Sequence, residues 1–330
     1  MNKQGIIVVT GATGFIGSNL LYALESSGYS DIVGIDSFGS GAKWKNVENR
    51  SFTQFVLPEQ AQTFFEANKH AVMAVIHLGA ISSTTETDVD KIVKTNIQLS
   101  IYLYKYCKQN NIQFIYASSA ATYGITGKEV NDFVDVQDMQ GLALLHPANA
   151  YGWSKHCVDK YIASDVAKSG HTNQVVGLKF FNVYGPNEYH KGEQISVIAK
   201  FYKQYSEHGV ARLFRPNGNE SPRRDFVYVN DCVKVIIWML EHKEISGLYN
   251  VGTGRAITFE TVAKQVASCL GLEPKIEYIE MPPSLQKQYQ AFTVAHLEKL
   301  RAAGYTTEMT PIEIGVNGYV KQYLYNNVYK

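Results

Sequence analysis

The chain has 330 residues, of which 45% are hydrophobic and 18% are charged, an ordinary balance for a soluble globular protein. This composition excludes a disordered or fibrous chain, and the length is enough for one large core or for two domains that share an interface. The 31 basic and 30 acidic side chains give a formal net charge of +1, so no charge imbalance predicts a nucleic-acid or an anionic-membrane partner.

The cysteines predict reduced thiols, with no metal site and no disulfide framework, because none of them forms a C-x-x-C pair. They are widely separated, at Cys107, Cys157, Cys232 and Cys269. The apolar run Ile6–Val9 is too short for the core of a signal peptide. No stretch reaches the roughly 20 apolar residues of a membrane span. We therefore expect a cytoplasmic protein.

Short apolar runs alternate with longer helical patterns through the first half of the chain. The runs are rich in β-branched and aromatic residues and are bounded by turn or polar residues, which is typical of strands. They are Ile6–Thr10, Asp31–Asp36, Ala74–Leu78, Gln113–Ser118 and Gln174–Phe181, and the helical patterns include Ile16–Glu25 and Ile92–Lys108. This alternation predicts an α/β fold with a parallel sheet covered by helices on both faces.

A glycine-rich turn, Thr10–Gly17, joins the first predicted strand to a helix with the spacing G-x-x-G-x-x-G. Gly11 permits the tight turn, Gly14 lets the backbone approach a pyrophosphate, and Gly17 lets the helix pack close to the strand. The helix N-terminus offers N–H groups and a positive dipole to phosphates. Glycine turns are common, but one placed between a strand and a helix predicts dinucleotide binding in a Rossmann-type, doubly wound sheet.

The end of the second predicted strand bears on the choice between NAD and NADP. Asp36 follows Gly17 by 19 residues, where an acid can hydrogen-bond the ribose hydroxyls of adenosine and favour NAD. Lys43, Lys45 and Arg50 come next, and a cation folded over the adenosine could bind the 2′-phosphate of NADP. A solvated loop explains these cations equally well, so the residues alone leave both cofactors open.

Two further positions lie near the predicted cofactor. The third predicted strand is followed by the small residues Gly79 and Ala80 after Leu78, which would leave room for a dinucleotide. His77 is predicted to be a packed strand histidine, not a catalytic one. Asn96, on the next helix, could fix the backbone of an active site through its amide, although an ordinary polar helix residue is the alternative.

A serine and a tyrosine–lysine pair form the predicted catalytic group. Tyr151 and Lys155 are spaced i,i+4 and share one face of a helix. A lysine ammonium and a cationic nicotinamide ring would favour the phenolate, which could then take a proton from a substrate hydroxyl while hydride leaves its carbon. Ser119, at the end of a strand, could hydrogen-bond the same oxygen. A surface pair, or a dead site in a scaffold or sensor protein, is the alternative.

The pattern changes after Asn182, where glycine and proline come in bursts at Tyr184–Asn187 and Arg215–Asn219. The run Leu248–Val251 predicts a strand that returns to the sheet. We therefore predict two domains: a dinucleotide-binding domain of residues 1–182 with a returning segment at about 226–256, and a smaller, discontinuous substrate-binding domain of residues 183–225 and 257–330.

Longer strings of residues resemble one known family. The glycine turn, the serine strand end, the tyrosine–lysine pair and Arg224–Val229 are similar to the extended short-chain dehydrogenases, which include nucleotide-sugar epimerases, dehydratases and reductases. Within that group, further strings resemble the ADP-L-glycero-D-manno-heptose 6-epimerases along almost the whole chain. These strings are Ser82–Glu86, Tyr116–Gly124, Phe180–Pro186, His190–Gly192, Tyr289–Thr293 and Leu300–Tyr305.

The resemblance implies a role for each matching residue. The catalytic group would be Ser119, Tyr151, Lys155 and Lys191 as a second acid/base. Cofactor contacts would include Gly11, Gly14, Phe15, Ile16, Gly17, Asp36, Ser37, Lys43, Leu78, Gly79, Ala80, Ser82, Asn96, Lys155 and Val183. Substrate contacts would include Ser119, Asn182, Lys200, Phe214, Arg224 and Tyr289. The resemblance also implies NADP, with Lys43 on the 2′-phosphate, although NAD stays possible. It further implies a homo-oligomer, often a pentamer, that supplies heptose for the lipopolysaccharide inner core.

The sequence departs from that family in its substrate half, at Glu193, Lys200, Arg215 and Gln288. These differences leave the nucleotide and the sugar open. Two assignments also have alternatives. Lys191 could be only a phosphate or cofactor ligand, and Arg224 could form an ion pair instead of gripping a diphosphate.

Three other functions compete with 6-epimerisation. A 4,6-dehydratase needs an acid pair after the strand serine, and Ala120 and Ala121 stand there instead, which argues against elimination. A nucleotide-sugar 4-epimerase or dehydrogenase would use the same catalytic trio. A cofactor-sensing binding protein would not need a tuned phenolate.

Overall fold

The computed structural model describes residues 5–125, 133–134, 138–215, 221–283 and 289–330. Its strands are, in chain order, β1 Ile6–Thr10, β2 Ile32–Ile35, β3 Gln54–Val56, β4 Val72–His77, β5 Gln113–Ser119, β6 Val175–Phe180, β7 Asn182–Tyr184, β8 Ala211–Phe214, β9 Arg223–Tyr228, β10 Gly247–Val251, β11 Ala256–Thr258 and β12 Ile276–Ile279. Its helices are α1 Phe15–Ser26, α2 Ala61–Asn68, α3 Val89–Ile92, α4 Leu99–Gln109, α5 Met139–Ala143, α6 Ala150–Ser169, α7 Val197–His208, α8 Val229–Glu241, α9 Phe259–Cys269, α10 Glu298–Ala302 and α11 Ile312–Gly318.

The central sheet contains seven parallel strands in the order β10-β6-β5-β4-β1-β2-β3. The chain first builds outward from β1 to β3 and then crosses back to β4, so the strand order reverses between β1 and β4. In doubly wound sheets a ligand binds at such a switch point, outside the carboxyl ends of the strands. Thr10 pairs with His77 in the register, so the segments that follow β1 and β4 leave the sheet side by side.

Alternating residues of each strand supply two separate apolar cores. Ile7 and Val9 of β1 pack with helices α1 and α8 on one face. Val8, between them, packs on the other face with Leu103 of α4 and Val158 of α6. Burial on both faces explains why the strands read as nearly continuous apolar runs. The predicted α/β, doubly wound fold is therefore confirmed.

The five strands predicted in the first half are all present, with ends that differ by up to two residues from those predicted. The returning strand Leu248–Val251 is β10 and lies beside β6. Strand β3 was missed because its three residues show no apolar pattern, and it exists through pairing with β2. The predicted helix Ile92–Lys108 is continuous from α3 to α4 through one π-helical turn, Val93–Gln98.

The second half forms smaller sheets beside the carboxyl ends of the central strands. One contains β11, β9 and β7, and the other pairs β12 with β8. Helices α7, α9 and α11 pack around them in a third apolar cluster. The division into residues 1–182 with 226–256, and 183–225 with 257–330, stays a prediction, and β9 crosses one of its boundaries.

Two remaining features concern the cysteines and the helices. All four cysteines are free, and Cys107 and Cys232 are buried. Among the residues described above, no helix combines the length and the apolar character needed to cross a membrane.

Candidate active site

The glycine turn lies at the switch point and forms a cradle of backbone. Gly11 has φ +70°, and a Cβ there would lie 2.6 Å from the backbone nitrogen of Gly79. A Cβ on Gly17 would lie 2.1 Å from the carbonyl oxygen of Gly11. At Gly14, which precedes α1, a Cβ would meet only the Gly11 oxygen at 3.1 Å, and no side chain caps the helix. The first N–H groups of α1 are thus available to an anion such as a pyrophosphate.

His77 is hydrogen-bonded to Thr10, the first residue of this turn. Its Nδ1 lies 2.6 Å from Oγ1 of Thr10, and its Nε2 lies 2.9 Å from Oγ of Ser100. The Thr10 oxygen also accepts a hydrogen bond from the backbone N–H of Gly79 at 3.2 Å. Burial, together with the charge of Lys155, lowers the pKa of His77 to about 3. His77 is therefore the packed, neutral strand histidine that the sequence predicts.

Asp36 ties the end of β2 to the glycine turn. Its Oδ2 accepts hydrogen bonds from the backbone N–H and the hydroxyl of Thr13, at 3.0 and 2.6 Å. Its Oδ1 accepts from the backbone N–H of Ser37 at 2.8 Å and from Nζ of Lys43 at 3.0 Å. Lys43 also donates to the Ser37 carbonyl at 2.8 Å. Four donors therefore occupy a carboxylate that has about four acceptor positions.

The other two cations of this segment, Lys45 and Arg50, contact side chains other than Asp36. Nζ of Lys45 lies 6.0 Å from the ring centroid of Trp44 and 5.9 Å from that of Tyr329. Arg50 pairs with Glu25 at 3.0 Å. Of the three candidate cations, Lys43 is thus the one held at the Asp36 carboxylate.

The predicted catalytic serine and tyrosine are in contact. The side chain of Asn149 caps α6 by accepting from the N–H of Gly152 at 2.8 Å, which places Tyr151 in the first helical turn. Ser119 ends β5, accepts from the N–H of Ala121 at 3.1 Å and hydrogen-bonds the Tyr151 phenol. A Cβ on Gly152 would lie 2.6 Å from the Ala121 oxygen, so glycine lets α6 approach the strand end this closely.

Burial dominates the electrostatics of this pair and of Lys155, one turn further along α6. It raises the pKa of Tyr151, and the Ser119 hydrogen bond opposes that shift. It lowers the pKa of Lys155 to about 8, against the attraction of Asp159. The sequence predicts a phenolate favoured by the lysine and by a bound nicotinamide ring, which stays a prediction; among the groups of the chain itself, burial has the largest effect on the phenol. At neutral pH the phenol is therefore neutral and Lys155 is mostly protonated, and both groups are sensitive to any charge brought near them.

Asn96 joins the loop after β4 to the catalytic helix. Its Oδ1 accepts from the backbone N–H of Ile81 at 2.8 Å, and its Nδ2 donates to the Ile81 oxygen and to Oγ of Ser154, each at 3.0 Å. The amide is fully buried and lies in the π-helical turn. It holds the loop that carries residues 78–80 and Ser82 against α6.

Lys191 lies beside the start of α1. Its Nζ is 5.3 Å from the ring centroid of Phe15. Burial lowers its pKa, and the charge of Glu188 opposes this shift. Three residues later Gln194 donates a 2.6 Å hydrogen bond to Oγ of Ser83. The Lys191 segment is therefore linked directly to the loop after β4.

Three predicted substrate residues from distant segments come together. The Arg224 guanidinium lies 5.4 Å from the ring centroid of Tyr289, whose ring lies 6.4 Å from that of Phe214. Arg224 donates to Oε1 of Gln290 at 3.0 Å, and its Nε is buried without a partner among the described residues. No described acid forms an ion pair with Arg224. Asp225 instead accepts hydrogen bonds from residues 253, 254 and 295.

The remaining predicted residues are less tightly grouped. Asn182 is exposed on β7, and its Oδ1 lies 3.4 Å from Oγ1 of Thr293. Ile16 and Val183 are partly buried between the first and third apolar clusters. Lys200 is half-buried on α7.

The departures from the family pattern are found in different settings. Glu193 is exposed, next to the Gln194 link. Arg215 pairs with Glu280 at 2.9 Å on the surface. Gln288 lies outside the described residues.

Sequence reasoning missed several side chains that hold this site together. Asp159 had a usable signal, since it follows Lys155 by four residues and so shares its helical face. The others carry no signal in local spacing, and they are Thr13, Ser83, Ser154, Gln194 and Gln290.

Comparison with known proteins places this geometry in a family. The model of the NAD dependent epimerase/dehydratase family matches residues 7–252. The ADP-L-glycero-D-manno-heptose-6-epimerase of Nitratidesulfovibrio vulgaris is 42% identical over 326 residues, which cover 96% of this chain and 97% of that protein. The protein of the same name from Fusobacterium nucleatum is 39% identical over 333 residues, covering 97% of this chain and 98% of its own.

The solved structures agree with the sequences. The crystal structure of Helicobacter pylori ADP-L-glycero-D-manno-heptose-6-epimerase superposes with a TM-score of 0.80 at 27% identity, covering 97% of this chain and 96% of that chain. The resemblance seen in the residue strings is thus confirmed, and the cofactor is a nicotinamide dinucleotide. The chain belongs to the NAD dependent epimerase/dehydratase family and is, within it, a nucleotide-sugar epimerase.

Proposed function

We propose that this epimerase interconverts ADP-D-glycero- and ADP-L-glycero-D-manno-heptose at C6″, using bound NADP. The observation that carries the substrate is the similarity over nearly the full length to ADP-heptose 6-epimerases. The same similarity supports a cytoplasmic homo-oligomer, a pentamer by family resemblance, that supplies heptose for the lipopolysaccharide inner core.

The contacts of the catalytic trio support a transient oxidation. A nicotinamide dinucleotide held by the glycine turn would supply a hydride acceptor that can return the hydride to the same sugar carbon. Tyr151 takes the hydroxyl proton as the hydride leaves, and Ser119 hydrogen-bonds the same oxygen. Lys155 supplies positive charge that favours the phenolate. The sugar passes through an aldehyde, and rotation about one bond presents its other face.

A second proton donor is needed for that opposite face, because one phenol cannot reach both. Lys191 fits this role since burial lowers the pKa of its ammonium, which makes that ammonium a stronger proton donor. Its position beside Phe15, at the start of α1, supports a site next to the dinucleotide.

Elimination lacks the necessary groups. The turn after Ser119 holds Ala120 and Ala121, and neither side chain can carry a proton. A dehydratase must protonate a leaving hydroxyl, so the absence of an acid at these two positions supports epimerisation.

The surroundings of Asp36 support NADP over NAD. Its four hydrogen bonds leave little capacity for ribose hydroxyls. Lys43 is held at the same place and can turn from Asp36 to a 2′-phosphate, which an ammonium binds strongly. Phe15, Ile16 and Val183 would line the dinucleotide, and Arg224 with Phe214 and Tyr289 would hold the nucleotide diphosphate. Asn182 and Lys200 would contact the sugar side.

Deuterium at C6″ of ADP-D-glycero-D-manno-heptose tests the proposal. We expect NMR to show the inverted configuration at C6″ with the deuterium retained in ordinary water, because the hydride returns to its own carbon. UDP-glucose and GDP-mannose serve as control sugars and should be inert.

Three outcomes would contradict parts of the proposal. If ADP-heptose does not react and UDP-glucose is inverted at C4″, the substrate proposal is wrong and the role of the catalytic trio stands. Accumulation of free reduced cofactor would indicate a dehydrogenase. Cofactor binding without turnover of any sugar would favour the sensor.

A further inference from the structure

A buried ion pair lies behind the catalytic trio, between α6 and the central sheet. Nζ of Lys179, on β6, lies 3.8 Å from Oδ2 of Asp159, on α6, and both side chains are fully buried. Asp159 also accepts hydrogen bonds from the hydroxyls of Ser118 at 2.7 Å and Tyr116 at 3.0 Å. Removing two charges from water is costly, and sheet packing alone would be served by apolar residues.

Three members of this group lie next to parts of the catalytic trio, in the chain or along a helix. Asp159 lies one turn from Lys155 on the same face of α6. Ser118 precedes Ser119, the residue that hydrogen-bonds Tyr151. Lys179 donates to Oγ1 of Thr122 at 3.0 Å, within the short helical turn Ala120–Tyr123 that follows β5.

The charges around this carboxylate have a simple balance. The titratable groups that surround it are Lys155 on its own helix, Lys179 on β6 and Tyr116 on β5, with His77 of β4 beyond Lys155 and His156 of α6 beyond Lys179. Burial lowers the pKa of His77 to about 3 and that of His156 to about 4, and it raises the pKa of Tyr116. At neutral pH these three are uncharged. Burial raises the pKa of Asp159, and Lys179, Ser118, Tyr116 and Lys155 oppose that rise. Among the described residues, its carboxylate is the anion of this group and faces two lysine side chains.

We propose that Asp159 is a positioning residue of the active site, whose carboxylate keeps the Lys155 ammonium charged and, together with Lys179, fixes the strand end that carries Ser119. It acts through Lys155 and Ser118, without contact to substrate or cofactor. This inference deepens the proposed function, since both concern the same trio.

The sign of the expected pH effect follows from the charges. Without the carboxylate, Lys155 loses its stabilising anion while the positive charge of Lys179 remains. The pKa of Lys155, already lowered by burial to about 8, falls further. The proposed mechanism uses the charged form of Lys155. In the variant, Lys155 loses its proton at a lower pH, so the fall of kcat/KM on the alkaline side of the profile begins at a lower pH.

Asp159→Asn is the first variant, measured as kcat/KM against pH. We expect its alkaline limb to move by about one pH unit or more, the usual effect of one close charge. Asp159→Glu should restore most of the wild-type profile. If Asp159→Asn does not fold, Asp159→Asn with Lys179→Met removes both charges of the buried pair. This double variant should still show a shifted limb, because Asp159 is the nearer group on the helix.

The chain offers a matched control on the same helix. Asp165 of α6 also accepts a tyrosine hydroxyl, from Tyr104 at 2.6 Å, and also pairs with a lysine, Lys108. It lies ten residues beyond Lys155 in the sequence, about 15 Å along a helix. Asp165→Asn should lower thermal stability and leave the pH limb in place.

Calorimetric binding of NADP over the same pH range separates this inference from the proposed function. Lys155 is proposed to contact the dinucleotide, so affinity should weaken through the same alkaline limb without any sugar. If ADP-heptose does not react, the substrate proposal is overturned, but the pH dependence of NADP binding still tests the role of Asp159. If the alkaline limb lies at the same pH in the wild type, Asp159→Asn and the double variant, the buried pair is only structural.

Discussion

The proposed dinucleotide end and the proposed substrate end of this site are assembled in different ways. At the dinucleotide end, backbone does most of the work: Gly11 and Gly17 let the turn after β1 lie against α1 and the segment after β4. At the substrate end, the side chains of Phe214, Arg224 and Tyr289 meet from three separated segments. The first arrangement tolerates almost no added atom. The second depends on charge and ring contacts, which can change without altering the fold.

The catalytic trio joins these two ends, and its loss should have the largest effect. Tyr151→Phe removes the group that moves the proton and keeps the ring that packs. We expect turnover to fall on the order of a thousandfold or more, with thermal stability and dinucleotide affinity nearly unchanged. Steady-state kinetics with the protein's own nucleotide sugar, alongside calorimetry, measures both. Wild-type turnover in the variant would refute the mechanism.

Gly17→Ala tests how little space the dinucleotide end allows. Its Cβ would lie 2.1 Å from the Gly11 oxygen, so the turn or the helix must shift, at about 3 kcal/mol of unfolding free energy. Chemical denaturation should show this loss. Gly14→Ala is the control, because its Cβ meets one atom at 3.1 Å. It should keep the stability and lose dinucleotide affinity. Equal stability in both variants would contradict the tight packing.

Arg224→Ala tests the substrate end through charge. The buried guanidinium has an unpaired Nε, and its loss should raise KM for the nucleotide sugar by about 10- to 100-fold, as expected for charge-assisted hydrogen bonds. The change in kcat should be smaller. Arg215→Ala is the matched control, since Arg215 has an exposed ion pair with Glu280, and its KM should stay near that of wild type. Similar KM values in the two variants would remove Arg224 from the substrate site.

Lys43→Ala should have the smallest of these effects and sharpens the account of the dinucleotide end. We expect NADP affinity to fall about tenfold, as one ammonium–phosphate contact is lost, and NAD affinity to stay the same. Calorimetry with both dinucleotides measures this selectivity. Lys45→Ala, two residues along, lacks the Asp36 contact and should bind NADP like wild type. Unchanged NADP affinity in Lys43→Ala would place the 2′-phosphate elsewhere.

Local spacing in the sequence determined the fold class, and it predicted the residues at the core of the candidate catalytic site. Apolar runs of strand length, separated by helical patterns, were enough to predict the parallel sheet, because buried strands and amphipathic helices have different periods. The turn Thr10–Gly17 and the pair Tyr151 and Lys155 could also be recognised in the sequence. Their chemistry needs particular residue types a few positions apart, and such short spacings can be recognised from the sequence alone.

Only the tertiary structure decided which distant residues meet. Strand β3 exists because β2 offers it an edge, and no pattern of its own predicts it. The pairing of Asp159 with Lys179, and that of Asp36 with Thr13, join side chains from different elements of the fold. Such contacts depend on the register of the sheet and on how each helix crosses it. A burial-shifted pKa depends on the same packing, so the rise that burial causes in the pKa of the Tyr151 phenol could not be predicted from the sequence.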